Sequence, residues 1–138
     1  ISTNLIGIDI SENMASEAEK LNIYDTLIVG DIVEKLNAFH DKFDLLVALD
    51  VLIYIGDVQS IFRAVHNSCK QDSLFIFSVE TQDEGGYSLL KSSRYAHSDE
   101  YIMDQTAGLF KLVNSENVKL RKEGESWIQG KVYVFHPA

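Results

Sequence analysis

Phe43-Asp44-Leu45-Leu46-Val47-Ala48-Leu49-Asp50 is a nearly unbroken apolar run that stops on a carboxylate. A run this short suits a strand, and a strand apolar at successive positions is one covered on both faces, as in the middle of a parallel sheet. Downstream, Asp57 is expected to cap a helix in which Val58, Ile61, Phe62, Val65 and Cys69 recur at i, i+3, i+4, i+7 and i+11 on one face. Gln71-Asp72 marks a polar break, Ser73–Val79 reads as the next strand, and Glu80 ends it. Thr81–His97, with Gly85-Gly86 inside it, has no clean period and is expected to be a long loop or lid-like insertion. Ser98, followed by Asp99 and Glu100, opens a helix that Gly108 ends. Phe110–Lys122 and Lys131–His136 close the chain as β-segments joined through Gly124 and Gly130.

Upstream of the central run, Asn4–Asp9 is a short strand ending in an acid. Ser11 then serves as N-cap of a helix over Glu12–Leu21, with Met14, Ala15, Ala18 and Leu21 as its buried stripe. Thr26–Val29 is a second strand, closed by Gly30-Asp31, and a brief helix covers Val33–Phe39. Strands that alternate with helices imply right-handed crossovers and a mostly parallel α/β sheet. The last two strands have no helix between them, so they are expected to form an antiparallel hairpin at one edge.

The composition narrows the function. A chain of 138 residues buries enough surface for one domain, and no linker or repeat divides it. The net charge of −9 argues against a nucleic-acid backbone or an anionic membrane as partner. A single Cys excludes an internal disulfide framework. His40, His66 and His136 share no metal-ligand spacing with Asp or Glu, so no metal site is expected. In an open parallel sheet, ligands bind beyond the carboxyl ends of the strands. Those ends carry Asp9, Asp31, Asp50 and Glu80. One such acid alone reads equally well as a helix cap, but four favour a ligand rich in hydroxyl, amino or cationic groups. An acid after an early strand commonly accepts from ribose hydroxyls, and the acid after the next strand can meet an adenine amino group.

Leu5-Ile6-Gly7-Ile8-Asp9-Ile10-Ser11-Glu12-Asn13-Met14 resembles the second-strand motif of class I S-adenosylmethionine-dependent methyltransferases. Gly30-Asp31-Ile32, the Phe43–Val51 strand, the Ser73–Glu80 strand, the loop Ser93-Arg94-Tyr95-Ala96-His97 and the closing hairpin follow in that family's order. Among subgroups the chain is most similar to bacterial methyltransferases found alone or fused to tetratricopeptide repeats. The resemblance implies a Rossmann-like sheet, S-adenosylmethionine as cofactor and a cytoplasmic enzyme. It also implies residue roles. Asp9 would accept the ribose hydroxyls, Ile10 and Met14 would line the adenine pocket, Asp31 would accept the adenine amino group and Ile32 would pack on the ring. Leu49 and Asp50 would lie near the methionine part, largely through backbone. For Ile10, Met14 and Ile32 the competing reading is plain core packing. The family's first strand and glycine-rich loop would precede Ile1, so the strand-like start at Ile1 reads as entry into a fold already under way. The sheet is then expected to be completed by upstream residues or by another chain in an oligomer.

Methyl transfer is an in-line displacement from which the leaving group departs neutral, so the protein mainly positions the acceptor and removes its proton. The groups available for that work are Glu80, Tyr87, Arg94, Tyr95, His97 and Tyr101, with Tyr54 in the loop after Asp50. His97 is the preferred base because an imidazole titrates near physiological pH, against the alternative of a helix-flanking surface histidine. Arg94 suits a substrate carboxylate or phosphate, or else pairs with one of the many acids. Tyr87-Ser88-Leu89-Leu90-Lys91 matches the Tyr-x-x-x-Lys pair of short-chain dehydrogenases. A chain of this composition yields roughly 0.4 such matches by chance, and that reading requires a helix there. The acceptor is expected to be a small molecule or a protein side chain. Two rivals stand beside this reading. One is an NAD(P)-dependent oxidoreductase, since Asp9 would serve a dinucleotide ribose equally well. The other is a degenerate domain acting as a non-catalytic interaction module.

Overall fold

The computed structural model describes residues 4–138. The strand-like start at Ile1 therefore lies outside the described residues. The chain divides into two compact units, Ile1–Phe39 and His40–Ala138.

In the first unit, strand β1 (Ile6–Asp9) pairs in parallel with β2 (Thr26–Val29), with Asp9 opposite Val29. Helix α1 (Glu12–Glu19) lies between them in sequence, and α2 (Ile32–Leu36) follows β2. Both helices start on an oxygen that accepts an otherwise unpaired amide, α1 as the sequence predicts and α2 one residue earlier than the expected Val33 and ending at Leu36 in place of Phe39. Ser11 Oγ accepts from Met14 N–H and Asp31 Oδ2 from Glu34 N–H. The predicted stripe of α1 is a correction. Only Ala15 of its four members is buried, while Met14 and Leu21 are exposed. Two strands of four residues offer too little surface to cover the ends of the helix.

The second unit holds a six-stranded sheet: β3 (Phe43–Ala48), β4 (Cys69–Gln82), β5 (Tyr87–Leu89), β6 (Tyr95–Ser98), β7 (Phe110–Glu123) and β8 (Ser126–Pro137). Its path runs β5-β6-β4-β8-β7, and β3 pairs in parallel with β4. The edge of β4 opposite β8 is shared, β3 taking residues 69–77 and β6 taking 80–82, both in parallel. β8 runs antiparallel to both β4 and β7, so the predicted terminal hairpin forms. Helix α3 (Gln59–Ser68) connects β3 to β4, and α4 (Asp99–Thr106) connects β6 to β7.

The core follows from alternation along β4. Phe75, Phe77 and Val79 share one face of the sheet, and all three are buried. Phe62 of α3 packs on Phe75 and Phe77, with ring centroids at 5.8 and 5.1 Å. Across the strand pair, Tyr133 and Phe135 of β8 stack on Phe77 at 5.1 and 5.7 Å. The helix face predicted from Val58, Ile61, Phe62, Val65 and Cys69 is buried throughout. Tyr133 Oη donates to Asp99 Oδ1 at 2.7 Å, and Lys131 Nζ pairs with the same oxygen at 2.8 Å. These partners hold the Asp99 carboxyl below its ordinary value, while burial and the neighbouring carboxylate push the Tyr133 phenol up.

Five predicted features differ in the structure. The 81–97 segment is no irregular lid: β4 runs on to Gln82, and Gly85 and Gly86, both at positive φ, turn the chain into the antiparallel pair β5–β6. Backbone pairing, invisible to side-chain periodicity, orders it. Gln71-Asp72 is no break either, because β4 starts at Cys69 and takes up the polar residues where its register with β3 shifts. Gly130 does not join the strands. It lies within β8, where an added Cβ would meet Leu120 Cγ at 2.4 Å and the Val79 carbonyl oxygen at 2.6 Å. Helix α3 begins one residue later than predicted, and Asp57 Oδ1 accepts from Gln59 N–H at 3.0 Å. Finally, β3 is covered on one face only. Leu45, Val47 and Leu49 alternate onto the same face and are more than half exposed among the described residues.

Candidate functional site at the strand carboxyl ends

In the first unit, the parallel register brings the ends of β1 and β2 side by side. Gly30 N–H donates to the Asp9 carbonyl at 2.9 Å, so Asp9 and Asp31 follow neighbouring strand ends. Asp9 Oδ1 accepts from Ser11 N–H at 2.9 Å, which fixes the carboxylate at the start of α1. Asp31 is exposed and caps α2 through Oδ2. Ile10 and Met14 are 74% and 58% exposed, so neither is core packing. Ile32 is half-buried at the first position of α2. Two acids and an apolar pair thus stand where an open parallel sheet places its ligands.

In the second unit, Leu49 and Asp50 follow β3. Asp50 adopts φ 57°, a left-handed conformation that costs a non-glycine residue energy and concentrates at functional positions. Its N–H donates to Ser78 Oγ at 3.0 Å, and its Oδ1 accepts from Arg121 Nη1 at 3.2 Å. Arg121 Nη2 donates to Glu80 Oε2 at 2.9 Å, so one guanidinium from β7 bridges Asp50, just after β3, and Glu80, which lies inside β4 and not at its end as the sequence predicts. Glu80 is buried, and pairing is the condition for keeping a carboxylate there. Arg94 pairs with Glu123, whose carboxylate also lies 3.9 Å from Arg121 Nε. Sequence reasoning did not single out Arg121. Its reach depends on the hairpin folding back over β4, a long-range pairing that no local pattern encodes.

The structure gathers Tyr87, Tyr95, His97 and Tyr101 into one aromatic cluster against the turn at Ile55–Val58. Tyr87 lies 6.0 Å from Tyr95, 6.2 Å from His97 and 5.3 Å from Tyr101, centroid to centroid. The expectation of a surface histidine is corrected: His97 is fully buried on β6, not at the surface beside a helix. Its Nε2 faces the carbonyls of Ile55 at 2.8 Å and Gly56 at 3.0 Å, while Nδ1 is buried without a hydrogen-bond partner. Burial pushes the imidazole pKa down, against the raising effect of the two carbonyls, and this favours the neutral ring. Beside the cluster, Gly85, Gly86, Ser98, Glu100, Tyr101 and Asp104 line a shallow cleft of about 240 Å³. Tyr54 is exposed in the same connection as the turn.

A family model described as a methyltransferase domain matches residues 1–77. No curated protein sequence matches the chain. Among solved structures, a S-adenosylmethionine-dependent methyltransferase from Methanosarcina mazei superposes with a TM-score of 0.77 at 16% identity, covering 97% of this chain and 82% of that one. Another, from Clostridium acetobutylicum, gives 0.73 at 20% identity and covers 99% and 76%. The N-methyltransferase NodS from Bradyrhizobium japonicum, solved with S-adenosylhomocysteine, gives 0.73 at 14% identity and covers 97% and 66%. Likenesses at these identities establish the fold. The family match spans more than half of the sequence, from the Asp9 strand into β4, and on that ground the chain belongs to the methyltransferase-domain family.

Proposed function

We propose that the protein transfers a methyl group from S-adenosylmethionine to a small molecule or a protein side chain. The observation that carries this reading is the pair Asp9 and Asp31 after adjacent parallel strands, with exposed Ile10 and Met14 beside them. A carboxylate fixed by one backbone amide suits two vicinal ribose hydroxyls, and the second suits an amino group. Ile10, Met14 and Ile32 suit the adenine face, which loses water on binding. The part of Leu49 and Asp50 toward the methionine portion rests on the family resemblance alone. When bound, the cofactor supplies an electrophilic methyl on a sulfonium, and the remaining work for the chain is to position an acceptor and accept its proton. The acidic surface, net charge −9, favours an acceptor that is not nucleic acid. The oxidoreductase reading loses ground to the family match.

Isothermal titration of the full-length protein with S-adenosylhomocysteine tests the reading. Binding is expected, with Asp9→Ala weakening it by about tenfold to a hundredfold, the effect of losing hydrogen bonds to a charged group. Binding of NAD in its place, or of neither ligand, would overturn it.

A further inference from the structure

We infer that His97 is a positioning residue: as a neutral ring carrying its proton on Nε2, it fixes the Ile55–Val58 turn and does not accept the acceptor's proton. The chemistry follows from two carbonyls. A ring nitrogen 2.8 Å from the Ile55 oxygen and 3.0 Å from the Gly56 oxygen meets acceptors only, so it must donate. That places the lone pair on Nδ1, which is buried and unpartnered. A base must offer its lone pair to the incoming proton within hydrogen-bond reach. Here one nitrogen is occupied by its own proton and the other is closed off from solvent. The titratable groups facing the ring are Tyr87 from β5 and Tyr101 from α4, with Asp57 Oδ1 3.4 Å beyond the Tyr101 hydroxyl. The neighbours across the strand pairs, Thr81 and the Tyr87 backbone, offer no charge. Only the two carbonyls at Nε2 favour an imidazolium, and burial of the ring outweighs them.

What the ring holds is well defined. Residues 95 and 97 of β6 share one face, and that face meets the turn. Gly56 lies so close that an added Cβ would meet Tyr87 Cε2 at 2.6 Å and Tyr95 Cε1 at 2.7 Å. Tyr101 Oη accepts from Val58 N–H at 3.2 Å, one residue before α3 begins. At the other end of the same connection, Asp50 is tied to Ser78 and Arg121. Between the two anchors Leu52 and Ile53 are buried and Tyr54 is exposed. The Tyr95-Ala96-His97-Ser98 strand therefore sets where the loop after β3, with Tyr54 on it, is displayed. Only the function of that loop in methyl transfer rests on the reading above.

Two cofactor-free measurements test the inference, so their outcome is separable from that of the methyl-transfer reading. Long-range proton–nitrogen NMR of histidine-labelled full-length protein should show His97 as the neutral Nε2–H tautomer at about pH 7.5. A ring that titrates near 6.5, or carries its proton on Nδ1, would overturn it. Amide exchange gives the second readout. Val58 N–H should exchange about tenfold faster in His97→Leu, which removes both hydrogen bonds, and within about threefold of wild type in His97→Gln, which restores a donor. Equal effects of the two variants would overturn the positioning role. Should His97→Leu not fold, the tautomer and the His97→Gln exchange rate decide the matter.

Discussion

Gly56 and Gly130 show at the residue scale why two glycines are fixed for different reasons. At Gly56 the obstacle to a Cβ is the edge of two tyrosine rings, and Tyr87 is part-exposed and able to swing. At Gly130 it includes the Val79 carbonyl, a backbone atom in the middle of the sheet. Gly56→Ala is expected to cost about 1–3 kcal/mol, the range for moderate overpacking, with Gly130→Ala costing more. Urea midpoints of the two variants would check this, and equal losses would contradict it. His97 adds a pH dependence whose sign is fixed by its surroundings. Its folded pKa lies below the ordinary 6.5, so the unfolded chain binds the extra proton and stability falls as pH drops below that value. His97→Gln should flatten the slope of unfolding free energy between pH 7.5 and 5.5. Asp99 acts lower on the scale. Its carboxyl is held below 3.8 by Lys131 and Tyr133, so its contribution is present above that pH and is lost on further acidification.

Among the elements, α3 and β3 make opposite predictions. Phe62 is fully buried between Phe75 and Phe77, and Phe62→Ala is expected to destabilise by about 3–5 kcal/mol through lost burial and a cavity. Leu45, by contrast, is 53% exposed on β3, so Leu45→Ala should change stability by no more than about 0.5 kcal/mol. Chemical denaturation of both variants separates the cases. A large loss at Leu45 would mean that this face of β3 is covered in solution. The helix was legible because its buried face repeats at helical spacing over three turns. The strand was misleading because continuous apolarity signals two covered faces only when neighbours supply the cover.

Across the whole molecule, buried apolar residues concentrate in His40–Ala138, while the first unit contributes only Ala15 and Leu36 to the described core. Local opening free energy follows buried contact, so the amides of β1 and β2 should exchange with solvent before those of β4 and β8. Hydrogen exchange resolved by residue measures the order directly, and protection of β1 equal to that of β4 would refute it. The distribution bears on function. The proposed adenosine contacts, Asp9 and Asp31, sit in the smaller core, where an added ligand stabilises by mass action.

The sequence by itself determined the alternation of strands and helices, the caps at Ser11 and Ser98, the buried face of α3 and the acids at the ends of the first three strands. Each is written within a few residues, where backbone geometry and side-chain spacing act directly. Tertiary structure alone decided the rest. The 81–97 segment became β5 and β6 because β4 offered a free edge beyond the end of β3. Arg121 reached Asp50 and Glu80 because the hairpin returned across the sheet. His97 left the surface because β6 drew it under Tyr87 and Tyr101. Arg121 meets its acids 71 and 41 residues away and His97 meets its carbonyls 42 and 41 away, and a local pattern carries no record of which distant backbone will arrive.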